Sequence, residues 1–142
     1  MSPAPDRYDV ETSVGNHFAW LRTRLAVERT LMAWVRTAMA LIGFGFTIVQ
    51  FFAHLQEMDG VAPAARPQMP RYLGLARIAS GVFALLISGL QYRWVVRYLW
   101  QDEFRTLAGM REGRMQTPIL LVGGALVVIG VVAFVAVLTR AV

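Results

Sequence analysis

The 142-residue chain contains no cysteine and no lysine; all fourteen of its basic residues are arginine. Without cysteine there are no disulfides, no thiolate nucleophile and no thiolate metal site. Arginine alone supplies the positive charge, as a planar fork that suits phosphate contacts and partly buried ion pairs, although a GC-rich coding bias gives the same replacement. Charge of either sign is scarce. Charged residues make up 16% of the chain and apolar residues 56%, against about 25% and about 45–50% in soluble domains. Such a surplus requires a second solvent. Three apolar runs take up nearly half the chain and leave no stretch able to bury a separate soluble core, which excludes a soluble enzyme with an appended anchor. The common motifs for phosphate, zinc and nucleophilic chemistry (a Walker loop, H-E-x-x-H, G-x-S-x-G) are missing as well. The reading is therefore of a protein that is no enzyme, with no catalytic residue, no cofactor, no metal and no nucleic-acid partner.

A bilayer core about 30 Å thick needs roughly 20 helical residues. Three segments meet that length, at about 31–52, 73–96 and 118–138. The third is uncharged and opens on Pro118, a residue tolerated at a helix entrance. The first carries Arg36, whose cost of at most about 3 kcal/mol is outweighed by ten large apolar residues contributing roughly −0.3 to −0.6 kcal/mol each. The second holds Arg77 and Arg93, which must snorkel or pair; its Ser80, Ala84 and Ser88, at four-residue spacing, form a stripe that favours close packing on a neighbouring helix. The expectation is an all-α integral membrane protein, with a disordered tail over residues 1–15 and a three-helix membrane domain over 16–142.

No signal peptide is expected, so the first span stays as an anchor. With the N-terminus in the cytoplasm, nine arginines (7, 22, 24, 29, 93, 97, 105, 111 and 114) fall inside and only Arg66, Arg71 and Arg140 outside. That split follows the positive-inside rule. Trp20, Trp34, Trp94 and Trp100 then gather at one membrane face. His17 and His54 fall on opposite faces and cannot share a metal within one subunit. The outer loop, 53–72, reads as an extended connector from its prolines, and the inner loop, 97–117, as a continuation of the second helix into the cytoplasm.

The stretch from Asn16 to His54 is the most informative. Asn16 is a candidate N-cap, and Phe18, Leu21 and Leu25 recur at helical spacing, which predicts a short amphipathic helix running into span one. Steps of four and three from Arg22 meet Ala26, Arg29, Ala33, Arg36, Ala40, Gly43, Thr47, Gln50 and His54. Seven-residue steps drift only about 20° per heptad, so these residues share one face. Arg36, about 6 Å inside the boundary, is within snorkelling reach of the headgroups. A polar stripe crossing the whole membrane, by contrast, must face protein or water, and several copies around an axis would stack its arginines into anion-selective rings. Glu28 sits one turn beyond Arg24, and its candidate partners are Arg24 in the same helix or Arg93 and Arg97 across an interface.

The run Ala26-Val27-Glu28-Arg29-Thr30-Leu31-Met32-Ala33-Trp34-Val35-Arg36-Thr37 resembles the signature of the YidH-like family, domain of unknown function 202, whose usual form is A-N-E-R-T-F-L-A-W-x-R-T. The resemblance extends over about residues 15 to 140, including Arg93-Trp94-Val95-Val96-Arg97 at the close of span two. It implies three helices with the N-terminus inside, in a small bacterial inner-membrane protein. The same domain resembles the membrane part of the vacuolar transporter chaperone, a eukaryotic polyphosphate polymerase in which five copies surround a conduit lined by basic residues of the first helix. The resemblance would give that lining to Arg22, Arg29 and Arg36, a gate role to Glu28, and the cytoplasmic entrance to Arg93 and Arg97. Val27 and Leu31 depart from the usual Asn and Phe, and no polymerase domain is present, so polyphosphate synthesis is not implied. Two functions follow as expectations. One is a homo-oligomer, a pentamer if the resemblance carries, whose Arg22, Arg29, Arg36, Thr47 and Gln50 line a channel-like site for anions or polyphosphate. The other is a non-conducting scaffold that binds anionic lipid or a partner protein through its arginine cluster.

Overall fold

A computed structural model describes residues 10–58, 68–109 and 118–139. Among them every regular element is a helix: α1 (Val14–Glu57), α2 (Met69–Leu99), α3 (Asp102–Ala108) and α4 (Ile119–Thr139). Helices α1, α2 and α4 are long and apolar enough to cross a membrane. The chain is an all-α, multi-pass membrane protein.

Helix α1 runs unbroken for 44 residues, about 66 Å, so the expected amphipathic helix and the first span are one rod. Its N-cap is Ser13 and not Asn16. The Ser13 side chain accepts from Asn16 N at 3.1 Å, and the Asn16 amide donates to the Glu11 carbonyl at 2.7 Å. Of Phe18, Leu21 and Leu25, the first and last are exposed and Leu21 is half-buried. The buried line is Trp20, Arg24, Leu31, Val35, Ala38, Ile42 and Gly45, which repeats at helical spacing about half a turn away from the arginine stripe.

Glycine sets the closeness of α1 to α2. A Cβ built on Gly45 would lie 2.8 Å from the Gly74 carbonyl oxygen, and one on Gly74 would lie 2.7 Å from the Gly45 carbonyl oxygen. Only residues without a side chain allow this backbone approach. Of the Ser80, Ala84 and Ser88 stripe, only Ser88 is buried within the chain, and Ser80 is exposed. The contact line of α2 is instead Gly74, Ile78, Gly81, Leu85, Ser88 and Tyr92.

Helix α4 packs mainly on α2 and touches α1. Gly130 meets Val82 and Ile42. Gly130 lies eleven residues into α4, and Ile42 lies eleven beyond Leu31, so α4 begins at the level of Leu31. The portion of α1 flanked by α4 is therefore about 31–51. At the far end Arg71 reaches across from α2 and donates to the Val137 and Leu138 carbonyls at 3.2 and 2.6 Å.

Residues 14–30 of α1 project past the start of α4 and are covered by the end of α2 and by α3. Trp20 is 4% exposed, donates to the Leu99 carbonyl at 3.0 Å and packs edge-on against Trp100. It is thus a core residue and not an interfacial anchor, whereas Trp34 and Trp94 are exposed. The second helix does not continue through the inner loop. It stops at Trp100, and α3 turns back onto α1, where the His17 ring meets the Leu107 carbonyl. Gly109, at φ 66°, closes α3 in the left-handed conformation that favours glycine. In the outer connector α1 persists to Glu57 and α2 starts at Met69, with Pro70 in its first turn. Residues 1–9, 59–67, 110–117 and 140–142, with Arg7, Arg66, Arg111, Arg114 and Arg140, lie outside the described residues.

Candidate functional site

All of Arg22, Ala26, Arg29, Ala33, Arg36, Ala40, Gly43 and Thr47 are exposed in the protomer. Their face points directly away from the line that α1 buries against α2 and α4. Among the described residues Arg22, Arg29 and Arg36 form no ion pair; the pair that forms on this helix is Arg24 with Glu28. Arg29, Ala33, Thr30, Thr37 and Trp34 line a shallow surface concavity. Along its flank Thr23, Thr30 and Thr37 each donate to the carbonyl four residues back, at 3.0–3.1 Å. Thr47 does the same to Gly43 at 2.9 Å, so its hydroxyl is satisfied within its own helix. Gln50 is half-buried and His54 exposed at the far end of the stripe.

The stripe divides by level. Arg22 and Arg29 lie before the start of α4, where α2 and α3 are the neighbours of α1 among the described residues. Arg36 alone stands within the height of all three long helices, five residues past Leu31, or about 7.5 Å. Of these three guanidinium groups only this one projects from the part of α1 flanked by α4.

Glu28 is turned inward. Its carboxylate lies 3.6 Å from Arg24 Nε and accepts from the Tyr92 hydroxyl at 3.5 Å, and the Arg24 and Glu28 side chains are only 7% and 17% exposed. Of the candidate partners, the intrahelical one is taken. Arg93 and Arg97 are exposed on α2 at the same end of the bundle. A charge so withdrawn from water requires a partner; here Arg24, Glu28 and Tyr92 tie α1 to α2 just before the level at which α4 begins. Sequence reasoning missed Tyr92 and the burial of Arg24. The signal was present, because Arg24 stands four residues after Trp20 and seven before Leu31 on one apolar line.

A family model described as a domain of unknown function (DUF202) matches residues 19–98. The chain belongs to this family. The DUF202 match takes in the signature run, the arginine stripe, the Arg24–Glu28–Tyr92 cluster and the glycine contact between α1 and α2; α3 and α4 lie beyond it. Neither a curated protein nor a solved structure matches the chain.

Proposed function

We propose that this DUF202 protein assembles into a homo-oligomer whose α1 helices face a common axis and bind or pass phosphate-rich anions. One observation carries the reading: the face of α1 bearing Arg22, Arg29 and Arg36 is the face the protomer leaves uncovered. None of the spans holds an acidic residue, so the protomer has nothing at that depth to offset Arg36. Guanidinium groups gathered at one level repel each other, by about 1 kcal/mol per pair even in water at a few ångströms, and a polyanion seated among them through bidentate contacts relieves this. Arg93 and Arg97 mark the entrance, and Thr47 and Gln50 continue the path. The role is binding or conduction without catalysis, in a bacterial inner membrane, with the N-terminus cytoplasmic and the C-terminus periplasmic.

In reconstituted vesicles Arg29→Ala is expected to weaken polyphosphate binding about tenfold, the loss of one charge-assisted contact, and to lower any anion current. Arg140→Ala, at the other end of the chain, should leave both unchanged. Equal binding by wild type and Arg29→Ala would remove the reading. The second reading, a scaffold that holds anionic lipid, draws on the tilt of helical side chains toward the helix N-terminus. That tilt carries Arg36 toward the headgroups nearest the start of α4.

A further inference from the structure

Arg77 is a cation inside the membrane-spanning part that the arginine stripe does not use. Gly74 packs on Gly45 and Gly81 on Ile42, which sets Arg77 between them, at the level of about residues 41–44 of α1. Six residues nearer the start of α2, Arg71 is occupied by the last carbonyls of α4. Arg77 thus departs from the backbone about 9 Å below the end of the bundle. The side chain is half-buried, and its Nε is buried with no hydrogen-bond partner among the described residues. No acidic residue lies in any of the spans, so the spans themselves supply no counter-charge. Because helical side chains tilt toward the N-terminus, the guanidinium leans toward the end where α2 begins.

One, two and three turns further along the same flank of α2 stand Ser80, Ala84 and Ser88. Together with Trp34, Phe83 and Ile87 they line an open groove of about 420 Å³. Both serine hydroxyls are spent on carbonyls of their own helix, Ser80 on Ala76 and Ser88 on Ala84. The groove therefore presents no free serine hydroxyl to an acyl chain, and its remaining polar lining, Trp34 and Gln91, lies at the end away from Arg77. We infer that Arg77 binds the phosphate of a phospholipid from the leaflet at the α2-entry end, with one acyl chain laid in the Ser80–Ala84–Ser88 groove. Charge complementarity selects this occupant, since a guanidinium fork without a carboxylate partner matches a phosphate through two parallel hydrogen bonds. A second copy of the chain would bring no acid to this depth. The inference is independent of the stripe on α1.

The test is native mass spectrometry of the full-length protein, delipidated in mild detergent and titrated with dioleoyl phosphatidylglycerol or, separately, with the dioleoyl glycerol that lacks the phosphate. Wild type should retain a phosphatidylglycerol that Arg77→Gln binds about tenfold more weakly, and neither should retain the phosphate-free lipid. Arg77→Lys, which keeps the charge without the fork, should fall between. Ala84→Trp, which fills the groove and leaves Arg77 in place, should also lose the lipid, and it serves where Arg77→Gln does not fold. Inorganic phosphate should not displace the lipid. Equal retention by wild type and Arg77→Gln, equal binding of the phosphate-free lipid, or displacement by inorganic phosphate would each overturn the inference.

Discussion

The two sides of α1 answer to different surroundings. On one, Trp20, Arg24, Leu31, Val35, Ala38, Ile42 and Gly45 are buried, and even the charge among them is paired. On the other, Arg22, Arg29, Arg36, Gly43 and Thr47 are all exposed. Gly43 and Gly45 put the contrast at its smallest scale: a Cβ on Gly45 would collide with the α2 backbone, whereas a Cβ on Gly43 would meet nothing within 4 Å. Arg22 and Arg24, also two residues apart, repeat it in charge. The protomer is folded by one side of this helix, and a role for the other side must come from outside the protomer.

Substitutions at matched pairs of positions separate these two sides. Arg24→Ala leaves Glu28 buried without its ion pair and is expected to cost about 3 kcal/mol of stability; Arg22→Ala should change it by no more than about 0.5 kcal/mol. Thermal unfolding in detergent followed by circular dichroism measures both, and equal effects would erase the distinction. Gly45→Val forces α1 and α2 apart and should cost about 1–3 kcal/mol by the same measurement. Gly43→Val should leave protomer stability unchanged and weaken only the assembly, read by native mass spectrometry. Trp20→Phe gives up the hydrogen bond to Leu99, a loss of about 1 kcal/mol, while Trp34→Phe should be silent in unfolding.

Much of this architecture was legible in the sequence, because a bilayer imposes a length that apolar runs must meet. The three apolar runs correspond to α1, α2 and α4, the helices long and apolar enough to cross a membrane. The arginine stripe was legible for the same kind of reason, since the 3.6-residue period fixes which residues share a face. What lies between helices was not. Ser80, Ala84 and Ser88 satisfy the small-residue rule as well as Gly74 and Gly81 do, and only the backbone approach at Gly45 decides between them. Phe18, Leu21 and Leu25 are more apolar than Arg24, yet Arg24 is buried because Glu28 and Tyr92 are placed to meet it. The break at Trp100 that sends α3 back onto α1 follows from contacts to His17, some ninety residues away in sequence, which no local pattern records.

The central claim, that the uncovered side of α1 faces its counterparts around an axis, can be measured directly because the chain has no native cysteine. A spin label on Ala33→Cys, midway along the stripe, reports distances between subunits, and the same label on Val132→Cys reports from the exposed side of α4. The account predicts a short, well-defined intersubunit distance at position 33 and a clearly longer one at position 132. No intersubunit coupling at position 33, or a longer distance there than at position 132, would contradict it.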